Sequence, residues 1–321
     1  MTRHSAIPPP VTAVLDASSR WLPARLGEVE ERLREQSRGH GELLDKDVNA
    51  TLAAGGKRLR PLLVLLCAGS DGGEDTVRAA AAVELIHMAT LIHDDVLDDA
   101  SLRRGQPTVA ATSGRERALA TGDLLFSRAF ALLAEHGDRR AIELLAEASM
   151  ALARGELAQR NDAFDTGIAE GRYLERCQLK TAKLFECACR LGRDEDALGV
   201  FGAEIGLAFQ LLDDVLDVSG PPERTGKARG TDLLDGTVTL PLILAAEADP
   251  AIAAVDLRTL DSGGAERLCD RIAASGALDR VRRRALEMVS VAKARLDSAA
   301  FDPEQRELLS LVADGVVQRY A

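Results

Sequence analysis

The same five residues occur twice, 119 positions apart: Asp94-Asp95-Val96-Leu97-Asp98 and Asp213-Asp214-Val215-Leu216-Asp217. Each copy closes a long apolar stretch with helical period. The fold must therefore end two hydrophobic helices on clusters of like charge. Aspartates at i and i+4 share a helix face and repel each other unless a cation lies between them. Two such clusters facing each other would hold several Mg²⁺ ions. Mg²⁺ favours one or two carboxylates together with waters and phosphate oxygens over a closed protein cage, so the pattern implies a substrate that carries phosphate.

Around these clusters, helix period dominates and no alternating strand pattern stands out. Glycines and prolines punctuate the chain at Gly55-Gly56, Gly72-Gly73, Gly105 with Pro107, Gly137, Gly220-Pro221-Pro222, Pro250, Gly263-Gly264 and Gly276. The longest uninterrupted helical patterns cover 76–99, 115–135, 138–160, 168–191 and 194–219. Residues 1–20 read as a loose leader. Residues 21–321 read as one all-α domain built on a central helical bundle. The sequences flanking the two DDVLD copies differ, which argues for two converging sites rather than a solenoid repeat.

Composition narrows the function classes. Of the 321 residues, 46% are hydrophobic, enough for a large core. The formal net charge of −11 lacks the basic stripe that nucleic acid needs, and 3% aromatic content offers no base-stacking platform. The five scattered cysteines read as reduced, buried thiols of a cytoplasmic protein. No apolar window is long enough for a transmembrane segment. Pro8-Pro9-Pro10 stands where a signal peptide would need an apolar core.

Stepping back from Asp94 by 4, 7, 8 and 11 residues reaches Thr90, His87, Ile86 and Val83, on or near the Asp94/Asp98 face. The stripe runs from a polar mouth to apolar depth. His93 falls off this face and reads as structural. Arg103-Arg104-Gly105 follow in a turn, where paired guanidinium groups suit a phosphate, although isolated surface arginines are common. In Gly55-Gly56-Lys57-Arg58-Leu59-Arg60-Pro61, Lys57 and Arg60 are expected three residues apart on one side of the following helix. Alone, that segment reads equally as an anion site near a helix start or as a loop with a solvated basic face. Lys180-Thr181 lie on another helix, Phe209-Gln210 precede the second cluster, and Gly226-Lys227 open a glycine-rich loop that could close over phosphates.

GGKRLRP, DDVLDDASLRRG, Gly122-Asp123, Lys180-Thr181, FQLLDDVLD and GKARGTD occur in one order along the chain. In this set the sequence resembles the all-trans (E-type) polyprenyl diphosphate synthases of the isoprenoid synthase family, over residues 40–245. The resemblance implies an all-α bundle around a deep central cavity, usually a homodimer. It implies that Asp94, Asp98 and Asp213 ligate Mg²⁺, about three ions with substrate bound. Asp95, Asp99 and Asp217 would support them, as further ligands or from behind, and Asp95 and Asp214 would count with Asp94, Asp98, Asp213, Lys180, Thr181 and Gln210 in the catalytic set. Arg103, Lys180, Thr181, Gln210 and Lys227 would hold an allylic prenyl diphosphate. Lys57, Arg60, His87 and Arg104 would hold isopentenyl diphosphate. One departure is Thr237, where many relatives carry a lysine.

In that family the residues four and five before the first aspartate line the tunnel for the growing chain. Here they are Thr90 and Ala89, with Ile86 and Val83 deeper. Without an aromatic plug, the expected product is longer than the fifteen-carbon farnesyl chain. Two rivals are set against this reading. A terpene cyclase of the same fold would keep one aspartate cluster and lack Lys57 and Arg60. A non-catalytic partner subunit would tend to lose the aspartates.

Overall fold

The computed structural model describes residues 14, 18, 20–103, 105–135, 137–220, 229–297 and 301–318. The first helices among them are α1 (Leu22–Gln36), α2 (Glu42–Ala53), α3 (Leu59–Ala68), α4 (Glu74–Leu97), α6 (Arg115–Ala134) and α7 (Arg139–Asn161). A short α5 (Val109–Ser113) precedes α6. The chain continues through α8 (Glu170–Cys177), a π-turn (Gln178–Ala182), α9 (Lys183–Gly192) and α10 (Asp196–Ser219). It ends with α11 (Thr231–Leu234), α12 (Leu240–Ala248), α13 (Pro250–Ala253), α14 (Ser262–Ala274), α15 (Ala277–Asp297) and α16 (Pro303–Gln318). The only strands among the described residues, β1 (Leu102–Arg103) and β2 (Gln106–Pro107), form a two-rung antiparallel ladder. Gly105, at φ 73°, supplies the left-handed backbone this tight reversal needs.

The all-α class and four of the five expected long helices, α4, α6, α7 and α10, match the sequence expectation, with one difference. The stretch expected as one helix over 168–191 is interrupted by the π-turn, which local propensity does not encode. The chain packs as two compact units. One unit comprises Met1–Ser149, Cys187–Gly199 and Ala299–Gly315; the other comprises Met150–Glu186, Val200–Ser298 and Val316–Ala321. The divisions at 149/150, 186/187, 199/200 and 315/316 fall within helices rather than in loops, so no linker composition marks them.

In the first unit, α4 is buried nearly all round, from Val77 through Ala79–Ile86 to Met88, Ala89 and Ile92. Four consecutive alanines, Ala79–Ala82, are 5% exposed or less and let neighbouring backbones approach from every side. It packs mainly on α6, then on α3 and α1. Full burial of side chains such as Ile86 contributes about 1.5–3 kcal/mol each, and this anchors the helix whose end carries the first aspartates. In the second unit, α12 packs on α13, α14 and α15, while Tyr173, Phe185 and Phe201 are its largest fully buried side chains. All five cysteines are buried. No helix among the described residues is long and apolar enough to cross a membrane.

Candidate active site

The first cluster follows helix geometry. Asp94 is half-buried and Asp98 is exposed, whereas Asp95, 100° further round, is buried. Asp98 ends the helix, its N–H donating to the Asp94 carbonyl at 2.8 Å. Asp99 then turns into left-handed backbone at φ 50°. Arg103, on β1, donates from Nε to Asp95 Oδ1 at 2.6 Å. The arginine expected near the carboxylates is thus tied to the buried one. Arg115 caps the same helix end from α6, donating to the Val96 carbonyl at 2.9 Å. Arg104 lies outside the described residues.

Upstream on α4, His87 and Thr90 retain partial exposure, as their place on the Asp94 side requires. The Thr90 hydroxyl donates back to the His87 carbonyl at 2.8 Å. Val83, Ile86 and Ala89, the other expected tunnel residues, are each 0% exposed. Of the four, only Thr90 presents accessible surface.

Lys57 and Arg60 do not share a helix. The helix α3 begins at Leu59, so Lys57 stands exposed in the entering loop and Arg60 in the first turn. The reason is Arg58, which takes left-handed backbone at φ 48°, ψ 35° and stops the helix from extending backwards.

The second cluster, in the other unit, repeats the pattern of the first. Asp213 is exposed, Asp217 half-buried and Asp214 buried. The partners of the buried member differ. Asp214 accepts a hydrogen bond from the Tyr173 hydroxyl and another from Gln210 Nε2, at 2.8 Å. Gln210 Oε1 accepts from the Thr181 hydroxyl at 2.7 Å. Burial, followed by the negative charge of Asp232, pushes the Asp214 carboxyl up to about 8. Burial also holds the Tyr173 hydroxyl well above its ordinary range, so it is a donor. Asp217 receives the Asp232 N–H on its carboxylate at 3.3 Å, and its carbonyl receives the Gly230 N–H at 3.0 Å. Lys227 lies outside the described residues.

Lys180 and Thr181 sit on the π-turn, where one extra residue per turn re-aims both side chains; such turns concentrate at functional sites. It packs against Gly155 of α7 so closely that a Cβ there would lie 2.5 Å from the Lys180 nitrogen. One turn face along, Glu156 accepts an ion-pair hydrogen bond from Lys180 Nζ. Burial alone would raise the Glu156 carboxyl, but the charges and hydrogen bonds of Lys180 and Arg160 hold it below its usual value. Thr237 is half-buried in a loop pinned by its own N–H to the Asp232 carbonyl at 2.8 Å and by Arg176 on the Val238 carbonyl at 2.5 Å.

Among the described residues no three His, Cys, Asp or Glu side chains form a ready-made metal cage. The donor set still fits Mg²⁺. Each cluster offers two solvent-accessible carboxylates one helical turn apart, leaving coordination positions for water and phosphate. Sequence reasoning missed Tyr173, Glu156, Arg58 and Glu84. Tyr173 could have been found: it is one of only two tyrosines and stands seven residues before Lys180. Glu156 and Glu84 carry no local signal.

Known proteins resemble this chain over most of its length. The family described as Polyprenyl synthetase matches residues 41–267. The heptaprenyl diphosphate synthase component 2 of Geobacillus stearothermophilus is 40% identical over 251 residues, covering 75% of this chain and 78% of that protein. The octaprenyl diphosphate synthase of Escherichia coli K12 is 34% identical over 300 residues, covering 89% and 93%. A crystal structure of a polyprenyl synthase from Caulobacter crescentus CB15, complexed with calcium and isoprenyl diphosphate, superposes with a TM-score of 0.87 at 37% identity, covering 96% of this chain and 98% of that one. With matches of this extent, the chain belongs to the polyprenyl synthetase family of chain-elongating prenyltransferases.

Proposed function

We propose that the chain condenses isopentenyl diphosphate with an allylic prenyl diphosphate in a Mg²⁺-dependent reaction, releasing diphosphate and an all-trans product longer than farnesyl. The observation that carries this reading is the shared design of the two DDVLD copies: first and fifth aspartates open to solvent, second aspartate buried and hydrogen-bonded. That calcium and isoprenyl diphosphate occupy the Caulobacter structure supports a divalent ion and a diphosphate here.

In this reading Asp94, Asp98 and Asp213 ligate the metal, with Asp217 in support. Bound Mg²⁺ supplies charge stabilisation to the leaving diphosphate. Arg103, Lys180, Thr181, Gln210 and Lys227 orient the allylic diphosphate. Lys57, Arg60, His87 and Arg104 hold isopentenyl diphosphate so that its double bond meets the allylic carbon. Asp95 and Asp214 support their clusters from the buried side. Apolar walls exclude water from the cationic carbon. Thr90, small and accessible at the mouth, supports a product beyond fifteen carbons.

Met150 and Leu157, two turns apart on α7, are 57% and 65% exposed and form a face that a second copy would cover in a homodimer. Buried thiols fit a cytoplasmic setting. A second reading draws on the name of the Geobacillus relative, component 2: this chain would carry the catalytic groups but need a companion chain, with Thr237 marking the missing cation.

The test supplies purified protein with labelled isopentenyl diphosphate, Mg²⁺ and allylic starters of increasing length, then resolves the dephosphorylated products. A ladder ending beyond fifteen carbons is expected. Incorporation stopping at farnesyl would overturn the length assignment. No incorporation by the folded protein alone would move the weight to the companion-chain reading.

A further inference from the structure

Arg58 is the odd residue in the basic loop. It is not aimed at solvent as a phosphate-binding cation would be; its side chain is 13% exposed. Nε donates to Glu30 Oε1 on α1 at 2.6 Å, and Nη1 donates to Glu84 Oε1 on α4 at 2.8 Å. Glu84 is 4% exposed, so its carboxylate depends on this partner. The planar fork of a guanidinium reaches two carboxylates at once, which an ammonium does not. The Arg58 backbone is held at φ 48°, in the left-handed region that non-glycine residues seldom occupy. Such conformations persist where the surroundings over-determine them, and they concentrate at ligand clamps.

Both observations have one consequence. The fork ties the loop to α1 and α4, and the left-handed turn sets where α3 starts. Lys57 is thereby thrown into the loop, and Arg60 into the first turn of α3. Glu84 lies three residues before His87 on α4, so the same bond registers the loop against the helix that carries His87 and Asp94.

We propose that Arg58 and Glu84 are positioning residues for the diphosphate-binding cations Lys57 and Arg60, the ion pair between them setting the affinity for isopentenyl diphosphate. This rests on the function proposed above, in which Lys57, Arg60 and His87 hold that substrate.

The experiment compares wild type, R58M/E84M, R58K and K57A by steady-state kinetics in both substrates, with circular dichroism to confirm folding. Replacing a buried ion pair with apolar side chains of similar size tends to preserve stability, so R58M/E84M separates positioning from folding. R58K keeps the charge but loses the fork, and stands in if the double variant does not fold. The expected result is a rise of about tenfold or more in KM for isopentenyl diphosphate in both, with kcat and the allylic KM within about twofold. K57A should add little in the R58M/E84M background, because its position is already lost. An unchanged isopentenyl KM in folded variants, beside a raised one in K57A, would overturn the inference and leave the proposed function intact. A wild-type protein that incorporates no isopentenyl unit would remove both.

Discussion

The closest backbone approach at the candidate site, Gly155 against the π-turn, gives a sharp test of how Lys180 and Thr181 are placed. An alanine Cβ at 155 would lie 2.5 Å from the Lys180 nitrogen and 2.8 Å from its Cα and Cβ. Ordinary contacts of this kind are about 3.5 Å, so the turn must move by about 1 Å. The atoms in the way are largely backbone and cannot swing aside. Overpacking of this sort costs about 1–3 kcal/mol, partly offset by about 1 kcal/mol of helix propensity gained over glycine. Net destabilisation should stay below about 2 kcal/mol, a few degrees in Tm. Catalysis should suffer more, because a misplacement of about 1 Å can cost about 100-fold. Gly155→Ala should therefore remain folded by circular dichroism yet lose about 100-fold in kcat/KM for the allylic diphosphate. Gly171→Ala is the control, since a Cβ there meets nothing within 4 Å and should leave both quantities near wild type. If Gly155→Ala matched that control in kinetics, the tight crossing would not be what positions the π-turn.

Asp94→Ala and Asp213→Ala should each remove most turnover while leaving the thermal transition of the metal-free protein unchanged or raised, since each removes a like charge; near wild-type rates in both would refute the metal assignment. Thr90→Phe should shorten the longest product with little loss of stability, because Thr90 keeps accessible surface. Ala89→Tyr, at a position with none, should overpack the core by about 1–3 kcal/mol; chromatography of the dephosphorylated products and urea unfolding separate these outcomes. Burial pushes the thiols of Cys177 and Cys269 up to about 12 and about 11. Both should resist iodoacetamide at pH 8 in the native protein and react once it is unfolded, as read by mass spectrometry.

The long helices and both aspartate clusters were legible in the sequence because helix period and charge spacing are local properties. The i, i+4 argument anticipated that Asp94 and Asp98 would share accessibility, and Asp213 and Asp217 repeat it. Three features were not legible. The π-turn at Gln178–Ala182 packs closely on Gly155 of α7, a contact between segments 25 residues apart in sequence. The start of α3 at Leu59 depends on two carboxylates, Glu30 and Glu84, that lie 28 and 26 residues from Arg58. The sealing of Ala89 depends on a helix packed on all sides rather than on the small size of its side chain.

Two identical pentapeptides need not behave identically, and the buried second aspartates show why. Asp95 faces a cation, Arg103, at 2.6 Å. Asp214 faces two neutral donors and the charge of Asp232, and its carboxyl is pushed up to about 8. A carboxyl raised in the folded state holds its proton there more tightly than in the unfolded chain. Its contribution to stability is complete below the ordinary aspartate range and is lost as pH rises through about 8. Asp214→Asn should remove that decline, flattening the stability of the metal-free protein between pH 5 and 9 by up to about 1.4 kcal/mol per pH unit in the steepest part. Asp95→Asn breaks a charge-assisted pair instead and should cost about 1–3 kcal/mol. Urea unfolding of both variants and wild type in the presence of a chelator distinguishes the two. Parallel pH curves for wild type and Asp214→Asn would mean that Asp214 is ionised in the fold, and that the Tyr173 and Gln210 donors stabilise an anion rather than an acid.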